Sequence, residues 1–300
     1  MVDVAVPRRH LKTAAQFYAL TPPAKHKPTT LQGLGNTKLG RQIVAHFARK
    51  ALKEKANRLH YPAPYQALDN FEFYGVDDNE AFAREARSCG KLFFSETAQN
   101  LVRVFFLQER LKGLGKGVPF KPKHVHVIGA GTMGGDIAAW CALQGLRVTL
   151  QDLEPRFIAP AIKRAAVLYK GKYKTEKNLI QKAMDNLVPD VEGHGVGEAD
   201  VIIEAVIEDL AIKQKTFKAV EEKAKPDAIL ATNTSSIPLD EINKALKNPE
   251  RLVGIHYFNP VSKMQLVEVV KGDKTSEAVF EKAISFVRKI DRLPLPVKSS

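Results

Sequence analysis

The spacing of apolar and polar residues divides the chain into two regions. Up to residue 121, apolar residues recur at helical spacing, most clearly in 11–20, 37–58 and about 79–112. From residue 122 onward, short apolar runs rich in β-branched residues alternate with helical stretches. Alternating strands and helices are typical of a parallel sheet with helices on both faces. We therefore predict a mainly helical region at 1–121 and an α/β domain with a Rossmann-like, doubly wound parallel sheet at 122–300.

Individual elements of the second region can be assigned from the same pattern. Strands are predicted at 124–131, 146–152, 199–206, 228–233, 252–258, 266–270 and 293–298, and helices at 132–144, 155–170, 176–186, 209–224, 238–247 and 275–290. The segment 112–123 is rich in glycine, proline and lysine, which is typical of a linker. In the first region, 21–30 reads as a proline-rich connector and the prolines of 60–65 end a helix, so we expect that segment to be a rigid connector.

The composition fits a folded protein in a reducing compartment. Of the 300 residues, 44% are hydrophobic, which is too high for a disordered chain. No uncharged apolar stretch reaches the roughly 18 residues of a membrane span, and the first residues lack the apolar core of a secretory signal. Cys89 and Cys141 are too few for a disulfide framework, and no Cys/His cluster has metal-ligand spacing. These features favour a cytoplasmic location with no membrane span.

The net charge of +13 is concentrated in the first region. Residues 1–121 carry 20 Lys and Arg against 10 Asp and Glu, whereas residues 122–300 carry 26 against 23. A basic surface attracts nucleic acid, anionic lipid and anionic small molecules alike, so charge alone does not identify a partner. Phe105 and Phe106 lie on a predicted helix without a strand-borne RNA-binding pattern, and we expect them in the core. We therefore predict no nucleic-acid partner.

A glycine pattern follows the first predicted strand of the sheet. Residues 129–134 read Gly-Ala-Gly-Thr-Met-Gly, which fits G-x-G-x-x-G, and a predicted helix follows. Gly129 allows a tight turn, Gly131 lets the backbone approach a pyrophosphate, and Gly134 lets the helix pack closely on the strand. The helix N-terminus then offers free N–H groups to phosphate. A purely structural turn remains the alternative, but the strand, the helix and a downstream acid all favour a dinucleotide site.

That acid is Asp152, which ends the next predicted strand 21 residues after Gly131. A carboxylate at this place accepts hydrogen bonds from ribose hydroxyls and repels a 2′-phosphate, so NAD is favoured over NADP. A surface acid at the end of a strand is the alternative. Arg156, four residues farther on, would weaken the preference for NAD if it neutralised this carboxylate.

Histidine is the residue most suited to remove a hydroxyl proton near neutral pH. His256 lies at the carboxyl end of a predicted strand, where parallel sheets bind their ligands, and Glu268 follows 12 residues later within another strand. A carboxylate bonded to the far ring nitrogen would fix the tautomer of the imidazole. Spacing alone leaves open whether this pair is catalytic or structural. We expect His124 and His126 at the entry of the first strand.

Several motifs of the second region resemble the L-3-hydroxyacyl-CoA dehydrogenase family. The most specific is 256–270, His-Tyr-Phe-Asn-Pro followed by Met-Gln-Leu-Val-Glu. Segments 127–138, 199–213 and 231–237 are similar to the family in the same order. The resemblance implies NAD-dependent oxidation of a (3S)-3-hydroxyacyl-CoA thioester to the 3-oxoacyl-CoA in fatty-acid β-oxidation.

The resemblance also implies roles for individual residues. His256 would be the general base and Glu268 its partner, and Ser235 and Asn259 would contact the substrate. The predicted cofactor-binding residues are Gly129, Gly131, Met133, Gly134, Asp152, Val206, Ile207, Glu208, Lys213 and Asn233. The strand that ends at residues 204–206 is the point where the sheet order should reverse and the crevice open. From spacing alone, Glu208 and Lys213 read as an ordinary solvated pair on a helix.

The first region resembles the end of a crotonase (enoyl-CoA hydratase) domain and the helices that follow it. Segments 2–11, 60–69 and 100–117 carry this similarity. The same order of domains occurs in the bacterial multifunctional β-oxidation family, where a thiolase β subunit or a second copy is the expected partner. The crotonase core and the family's C-terminal helical domain have no counterpart in the sequence, so we expect an internal piece of a longer protein. Two alternatives remain, an NAD-binding module without turnover and a dehydrogenase of free 3-hydroxy acids.

Overall fold

The computed structural model describes residues 4–22, 29–75 and 80–299. The chain divides into two compact units, one up to Val104 and the other from Phe105 onward. The family resemblance places the domain boundary at 121/122 instead, and that boundary stays a prediction. Among the described residues, no helix combines the length and the apolar character needed to cross a bilayer.

The first unit is mainly helical, as predicted. Its helices are α1 (Leu11–Leu20), α2 (Thr30–Gly35), α3 (Lys38–Lys53), α4 (Pro62–Tyr74), α5 (Ala81–Phe93) and α6 (Glu96–Gly113), the last of which continues into the second unit. Tyr65 of α4 donates a hydrogen bond to the carbonyl oxygen of Ala56 at 2.7 Å, and Arg49 of α3 pairs with Asp69 and Glu72 of α4. These contacts join α3 and α4 into a helical hairpin.

Two predictions for this unit differ from the structure. The single helix expected at about 79–112 is divided into α5 and α6, because the Ser95 hydroxyl accepts from the amide of Ala98 and caps a new helix. The segment 60–65 is not only a connector, since Pro62 occupies the first turn of α4, where a missing N–H costs nothing. Of the expected connector at 21–30, residues 23–28 lie outside the described residues.

The second unit contains one sheet of eight strands. The strands are β1 (His124–Ile128), β2 (Arg147–Gln151), β3 (Leu187–Pro189), β4 (Val201–Glu204), β5 (Ile229–Thr232), β6 (Leu252–Tyr257), β7 (Leu266–Lys271) and β8 (Leu293–Lys298). The helices are α7 (Thr132–Leu143), α8 (Pro155–Tyr173), α9 (Lys177–Asp185), α10 (Leu210–Lys223), α11 (Leu239–Asn243) and α12 (Glu277–Lys289). Of the strands, only the three-residue β3 escaped the sequence pattern, since so short an edge strand has no periodicity to detect.

The order of the strands is β3-β2-β1-β4-β5-β6-β7-β8. The order therefore reverses between β1 and β4, the strand that ends just before residues 205–206, as predicted. All neighbouring strands are parallel except β6 and β7. A parallel connection needs a crossover of about a dozen residues or more. Residues 258–265 are too few for one, so β7 must run back antiparallel to β6.

The two faces of the sheet are covered differently. Helices α7, α8, α9 and α12 pack on one face, where β1 contributes Val125 and Val127. On the opposite face α10 and α11 cover the middle of the sheet, and β1 contributes Ile128. Next to them, over β1 and β2, lies the short segment 190–199 instead of a long helix. This thinly covered part of the sheet carries polar side chains.

His124 and His126 are the polar residues that β1 places on that face. His124 begins β1 and His126 follows two residues later, as expected for the entry of the strand, and both are buried, His126 completely. The expected burial of Phe105 and Phe106 is wrong, because these residues are 55% and 65% exposed. Cys141 is buried in α7 and Cys89 is exposed, and both cysteines are free.

Candidate functional site

The glycine loop connects β1 to α7 at the carboxyl edge of the sheet. Gly129 has φ +100°, and a Cβ atom there would lie 2.5 Å from the carbonyl oxygen of Ala205. A Cβ atom at Gly134 would overlap the carbonyl oxygen of Gly129, whereas a Cβ atom at Gly131 would meet no protein atom within 4 Å. Gly129 and Gly134 are therefore needed for packing, and Gly131 leaves an open surface where a pyrophosphate fits.

The carboxylate of Asp152 binds the glycine loop directly. Its Oδ2 accepts a hydrogen bond from the amide of Ala130 at 2.7 Å, and its Oδ1 accepts from the amide of Leu153 at 2.7 Å. Each oxygen keeps a second acceptor site, which suits the two hydroxyls of a ribose. Arg156 is exposed and pairs with Glu154 at 2.7 Å, and it is not paired with Asp152. The geometry therefore fits an unphosphorylated adenosine ribose.

A cavity of about 590 Å³ opens beside this loop. Its walls come from the ends of β1, β2 and β4, from α10 and from the segment 191–196. Gly129, Gly131 and Asp152 lie on one side of it, and Val206 and Ile207 on the other. In a doubly wound sheet this is the place where the adenosine half of a dinucleotide binds.

A second cleft of about 550 Å³ continues from the first across the point where the strand order reverses. The two share Gly131 and residues 205–207. The predicted site residues that line this second cleft are Gly131, Met133, Val206, Ile207, Glu208, Lys213, Asn233, Ser235, His256 and Asn259. Gly134 and Glu268 do not line either cavity; Gly134 supports the loop from behind and Glu268 contacts His256.

His256 and Glu268 are brought together by the sheet. They are opposite partners in the antiparallel pairing of β6 with β7, and Nδ1 of His256 lies 2.9 Å from Oε2 of Glu268. Both side chains are partly buried. The ring of Phe258 packs edge-on against the imidazole, with 4.8 Å between ring centroids. Since Nδ1 is engaged by Glu268, Nε2 is the nitrogen left for exchange of a proton with a ligand.

A buried lysine joins two carboxylates at the end of β4. The Lys213 amine lies 2.7 Å from Oε1 of Glu204 and 3.2 Å from Oε2 of Glu208. Glu204 is fully buried and also accepts from the hydroxyl of Thr232 at 2.7 Å and from the amide of Val206 at 2.8 Å. Glu208 and Lys213 are therefore not the solvated pair that spacing alone indicates, because the Lys213 side chain is only 1% exposed.

The loop after β5 wraps around Glu208. One oxygen of this carboxylate accepts hydrogen bonds from the hydroxyls of Thr234 and Ser236 and from the amide of Ser235. Burial raises the pKa of Glu208, but the hydrogen bonds from Thr234 and Ser236 and the nearby Lys213 charge outweigh burial and lower it overall. Glu208 is therefore an anion that fixes the position of this loop in the cleft.

Asn233 connects the same loop to the strand that carries His256. Its side-chain Oδ1 accepts a hydrogen bond from the backbone N–H of Tyr257 at 2.9 Å, and its backbone N–H donates to the carbonyl oxygen of Glu204 at 2.9 Å. The side-chain amide group of Asn233 is the part left for a ligand. Asn233 thus aligns the ends of three neighbouring strands.

Sequence reasoning missed three contributors to this site. Glu204 and Thr232 were read only as parts of buried strands, although an acid inside an apolar run is a signal that a cation must be nearby. Arg164 of α8 donates from Nη2 to the carbonyl of Gly131 at 2.9 Å and from Nε to Asp136 at 3.0 Å, which supports the glycine loop. No motif pointed to Arg164. Within the described residues, no three His, Cys, Asp or Glu side chains form a group that could hold a metal ion.

Comparisons with known proteins agree with this fold. Residues 124–300 match the family described as 3-hydroxyacyl-CoA dehydrogenase, NAD binding domain. The fatty acid oxidation complex subunit alpha of Aliivibrio fischeri is 36% identical over 311 residues, and the match covers 100% of this chain but 45% of that protein. The chain thus spans less than half the length of this curated relative.

Solved structures are similar to more than half of the chain. The 3-hydroxybutyryl-CoA dehydrogenase of Escherichia coli is 34% identical with a TM-score of 0.58, and the match covers 60% of this chain and 39% of that one. The (S)-3-hydroxybutyryl-CoA dehydrogenase of Ralstonia eutropha is 28% identical with a TM-score of 0.58, over 60% of this chain and 65% of that one. Since the family match covers more than half of the sequence and the fold is the doubly wound sheet it requires, the chain belongs to the 3-hydroxyacyl-CoA dehydrogenase family, with its NAD-binding domain at residues 124–300.

Proposed function

We propose that the chain provides the NAD crevice and the general base for the oxidation of (3S)-3-hydroxyacyl-CoA to 3-oxoacyl-CoA in fatty-acid β-oxidation. One observation carries the proposal: His256, which is hydrogen-bonded to Glu268, lines a cleft that is continuous with the glycine loop. A hydride acceptor and a proton acceptor are the two groups that oxidation of a secondary alcohol requires.

The chemistry follows from the arrangement of the pair. In the neutral imidazole, Nδ1–H donates to Glu268, so the lone pair of Nε2 accepts the 3-hydroxyl proton. Bound NAD supplies the acceptor for the hydride that leaves C3. The substrate thereby loses two electrons and two hydrogens, one as hydride and one as a proton on His256. Glu268 then stabilises the imidazolium that results.

Ser235 and Asn259 are proposed to hold the substrate oxygen. Both line the second cleft together with His256. The backbone N–H of Ser235 donates a hydrogen bond to the Glu208 carboxylate at 3.2 Å, which fixes the backbone and leaves the Ser235 hydroxyl available to a ligand. Asn259 follows β6 three residues after His256 and offers an amide that can donate to the developing carbonyl oxygen.

The nucleotide contacts are part of the same proposal. Gly131 and Met133 border the pyrophosphate, Asp152 binds the adenosine ribose, and residues 206–208 border the nicotinamide side. These roles are supported by the position of each residue on the wall of the two cavities. The proposal also includes a thiolase β subunit or a second copy of the chain as partner, and a cytoplasmic location, which suits two free cysteines.

The test is reduction of acetoacetyl-CoA by NADH, followed as the loss of NADH absorbance with the whole chain. We expect turnover by the wild type and a loss of about 100-fold or more in His256→Ala, because a positioned acid–base group contributes about 10²–10⁴-fold. His46→Gln, which changes an exposed histidine of α3, is the matched control and should keep full activity. Full activity of His256→Ala would exclude the proposed role of the pair.

The same assay separates the two alternatives. A chain that binds NADH in a titration but does not reduce acetoacetyl-CoA is an NAD-binding module without turnover. A chain that reduces free acetoacetate faster than the CoA thioester is a dehydrogenase of free acids. Either result would replace the proposed function, and the two results differ from each other in whether free acetoacetate is reduced.

A further inference from the structure

A chain of buried polar side chains crosses from β1 to β2 on the thinly covered face of the sheet. Nε2 of His124 lies 2.9 Å from the hydroxyl of Thr149, and the same hydroxyl lies 2.7 Å from Nδ1 of His126. Nε2 of His126 lies 3.0 Å from Oε1 of Gln151. His126 has no exposed surface, and both of its ring nitrogens have partners. The proposed chemistry uses none of these four residues.

The donors and acceptors among these four side chains follow from the orientation of Gln151. The side-chain amide nitrogen Nε2 of Gln151 donates to the carbonyl oxygen of Val191 at 3.5 Å, so Oε1 points to His126 and accepts a hydrogen bond there. His126 therefore carries its proton on Nε2, and Nδ1 accepts from the hydroxyl of Thr149. Thr149 in turn accepts from Nε2–H of His124. Burial lowers the pKa values of both histidines, in agreement with neutral rings.

The polar chain ends at the wall of the adenosine cavity. Gln151, Val191 and Gly193 all line that cavity, and a Cβ atom at Gly193 would lie 2.6 Å from the amide nitrogen of Gln151. Gln151 also directly precedes Asp152, the residue proposed to bind the ribose. The orientation of Gln151 therefore sets the shape of the wall next to the ribose.

The segment 190–195 rests on the same polar chain. Asp190 accepts hydrogen bonds from the amides of His194 at 3.0 Å and Gly195 at 2.7 Å, and its Oδ2 lies 3.8 Å from Nδ1 of His126. A Cβ atom at Gly195 would overlap the hydroxyl of Thr149 and lie 2.9 Å from Nδ1 of His126. The segment thus packs directly on His126, with no space between them.

We infer that His126 is a positioning residue for nucleotide binding, which orients Gln151 and supports the segment 190–195 so that together they form the outer wall of the adenosine cavity. This inference rests on the proposed function, because the ligand of the cavity is taken to be the adenosine half of NAD. It adds to that function a residue that lies behind the cavity and outside the glycine pattern, and that touches no ligand.

Two substitutions of His126 separate its two ring nitrogens. Asparagine places a carbonyl oxygen near the position of Nδ1 and keeps an acceptor for Thr149, but it does not reach Gln151. Glutamine extends to the position of Nε2 and can still donate to Oε1 of Gln151. His126→Asn should therefore disconnect the cavity wall, and His126→Gln should largely restore it. His124→Asn is the matched control, because His124 is buried on the same face of the same strand and bonds to Thr149, but makes no hydrogen bond to Gln151.

The experiment is a titration of the whole chain with NADH and, separately, with ADP-ribose. We expect His126→Asn to lower the affinity for both ligands about five-fold to ten-fold, which is the effect of losing one positioned hydrogen bond. His126→Gln and His124→Asn should bind within about two-fold of the wild type, and kcat for acetoacetyl-CoA at saturating NADH should stay unchanged in all three. Where His126→Asn does not fold, Gln151→Met removes the hydrogen bond between His126 and Gln151 from the cavity side and should lower the affinity for ADP-ribose by the same factor.

Each outcome decides between the two claims. Wild-type affinity in His126→Asn, or in Gln151→Met where that variant carries the test, overturns the inference and leaves the proposed function in place. Equal weakening in His124→Asn overturns it as well, because general loosening of the core then explains the effect. A wild type that binds neither NADH nor ADP-ribose overturns the proposed function and this inference together.

Discussion

Nδ1 of His256 lies 2.9 Å from Oε2 of Glu268, and the two residues face each other across the antiparallel strands β6 and β7. Their separation is therefore set by the ladder of the sheet and not by a loop. A pair on two hydrogen-bonded strands keeps its geometry before a ligand arrives, which is the condition for an efficient general base.

The first prediction concerns the partner of the base. Glu268→Gln keeps the size of the side chain but replaces the acceptor with an amide that can also donate, so it no longer enforces the tautomer with a proton on Nδ1. We expect kcat for acetoacetyl-CoA reduction to fall by about 100-fold or more, as in other triads whose carboxylate is replaced by an amide. The affinity for NADH should stay within about two-fold, because Glu268 lies outside both cavities. Equal losses in kcat and in nucleotide affinity would contradict this role.

The second prediction separates the glycines of the loop. Gly131→Ala should fold with the stability of the wild type, since its Cβ atom meets no protein atom, but it should bind NADH at least about ten-fold more weakly because the methyl group enters the space of the pyrophosphate. Gly134→Ala should instead lower the melting temperature, because its Cβ atom overlaps the Gly129 carbonyl. Thermal unfolding and NADH titration measure the two effects.

Gly171→Ala is the control for this pair. Gly171 lies in α8, where a Cβ atom would meet no other atom within 4 Å and where alanine favours the helix. It should affect neither nucleotide affinity nor stability adversely. Loss of stability in Gly131→Ala would show that this glycine is required by the fold and not by the ligand.

The third prediction is the choice between NADH and NADPH. The Asp152 carboxylate should repel a 2′-phosphate, so we expect NADH to be preferred by at least about 100-fold in kcat/KM. Asp152→Asn removes the charge but keeps an oxygen for the amide of Ala130, and it should reduce this preference by about ten-fold or more. The ratio of kcat/KM for the two nucleotides is the measurement. An unchanged ratio would place the discrimination elsewhere, and Arg156→Gln then tests the exposed cation four residues after Asp152.

The fourth prediction is a loss of stability as the pH falls. Burial lowers the pKa values of His124 and His126 below their ordinary 6.5 in the folded chain. As the pH falls through 6.5, the unfolded chain therefore binds protons that the folded histidines do not, and the free energy of unfolding decreases. The contribution of the neutral histidine rings to the free energy of unfolding is fully present above pH 6.5 and is lost as the pH falls below that value.

Urea unfolding between about pH 8 and about pH 5 measures this effect. Trp140, the single tryptophan of the chain, is buried in α7 and reports on the second unit through its fluorescence. The double variant His124→Asn/His126→Gln should show a flatter dependence of unfolding free energy on pH in that window. An identical dependence in the variant and the wild type would assign the pH sensitivity to other groups.

The parts of the site that could be predicted from the sequence are those in which a local motif lies at the end of a predicted strand. Gly129 and Asp152 were found because a strand, a turn and a second strand have a fixed spacing in this kind of fold, and the structure places the two around one cavity. The pairing of His256 with Glu268 depended on β7 running antiparallel to β6. Spacing alone left the role of that pair open, and its catalytic role stays a proposal.

The parts that escaped prediction depend on contacts between distant segments. The complete burial of His126 was not predicted, since nothing local indicates that segment 190–199 covers it. From spacing alone Lys213 read as part of a solvated helix pair with Glu208, and its burial follows from the additional partner Glu204, nine residues earlier. Arg164 supports the glycine loop from 33 residues away, and no motif records such a contact.

The reversal of direction at β7 also affects the order in which the site can form. His256 and Glu268 are 12 positions apart, whereas pairing of β1 with β4 brings together Val125 and Val201, 76 positions apart. Closing the longer loop costs about 1.5 kcal/mol more in chain entropy. We therefore expect β6 and β7 to pair early in folding through a short-range contact, and the long-range parallel pairing of β1 with β4 to form more slowly. The pair proposed to accept the proton thus depends on a local strand pairing, whereas the proposed nucleotide crevice depends on a long-range one.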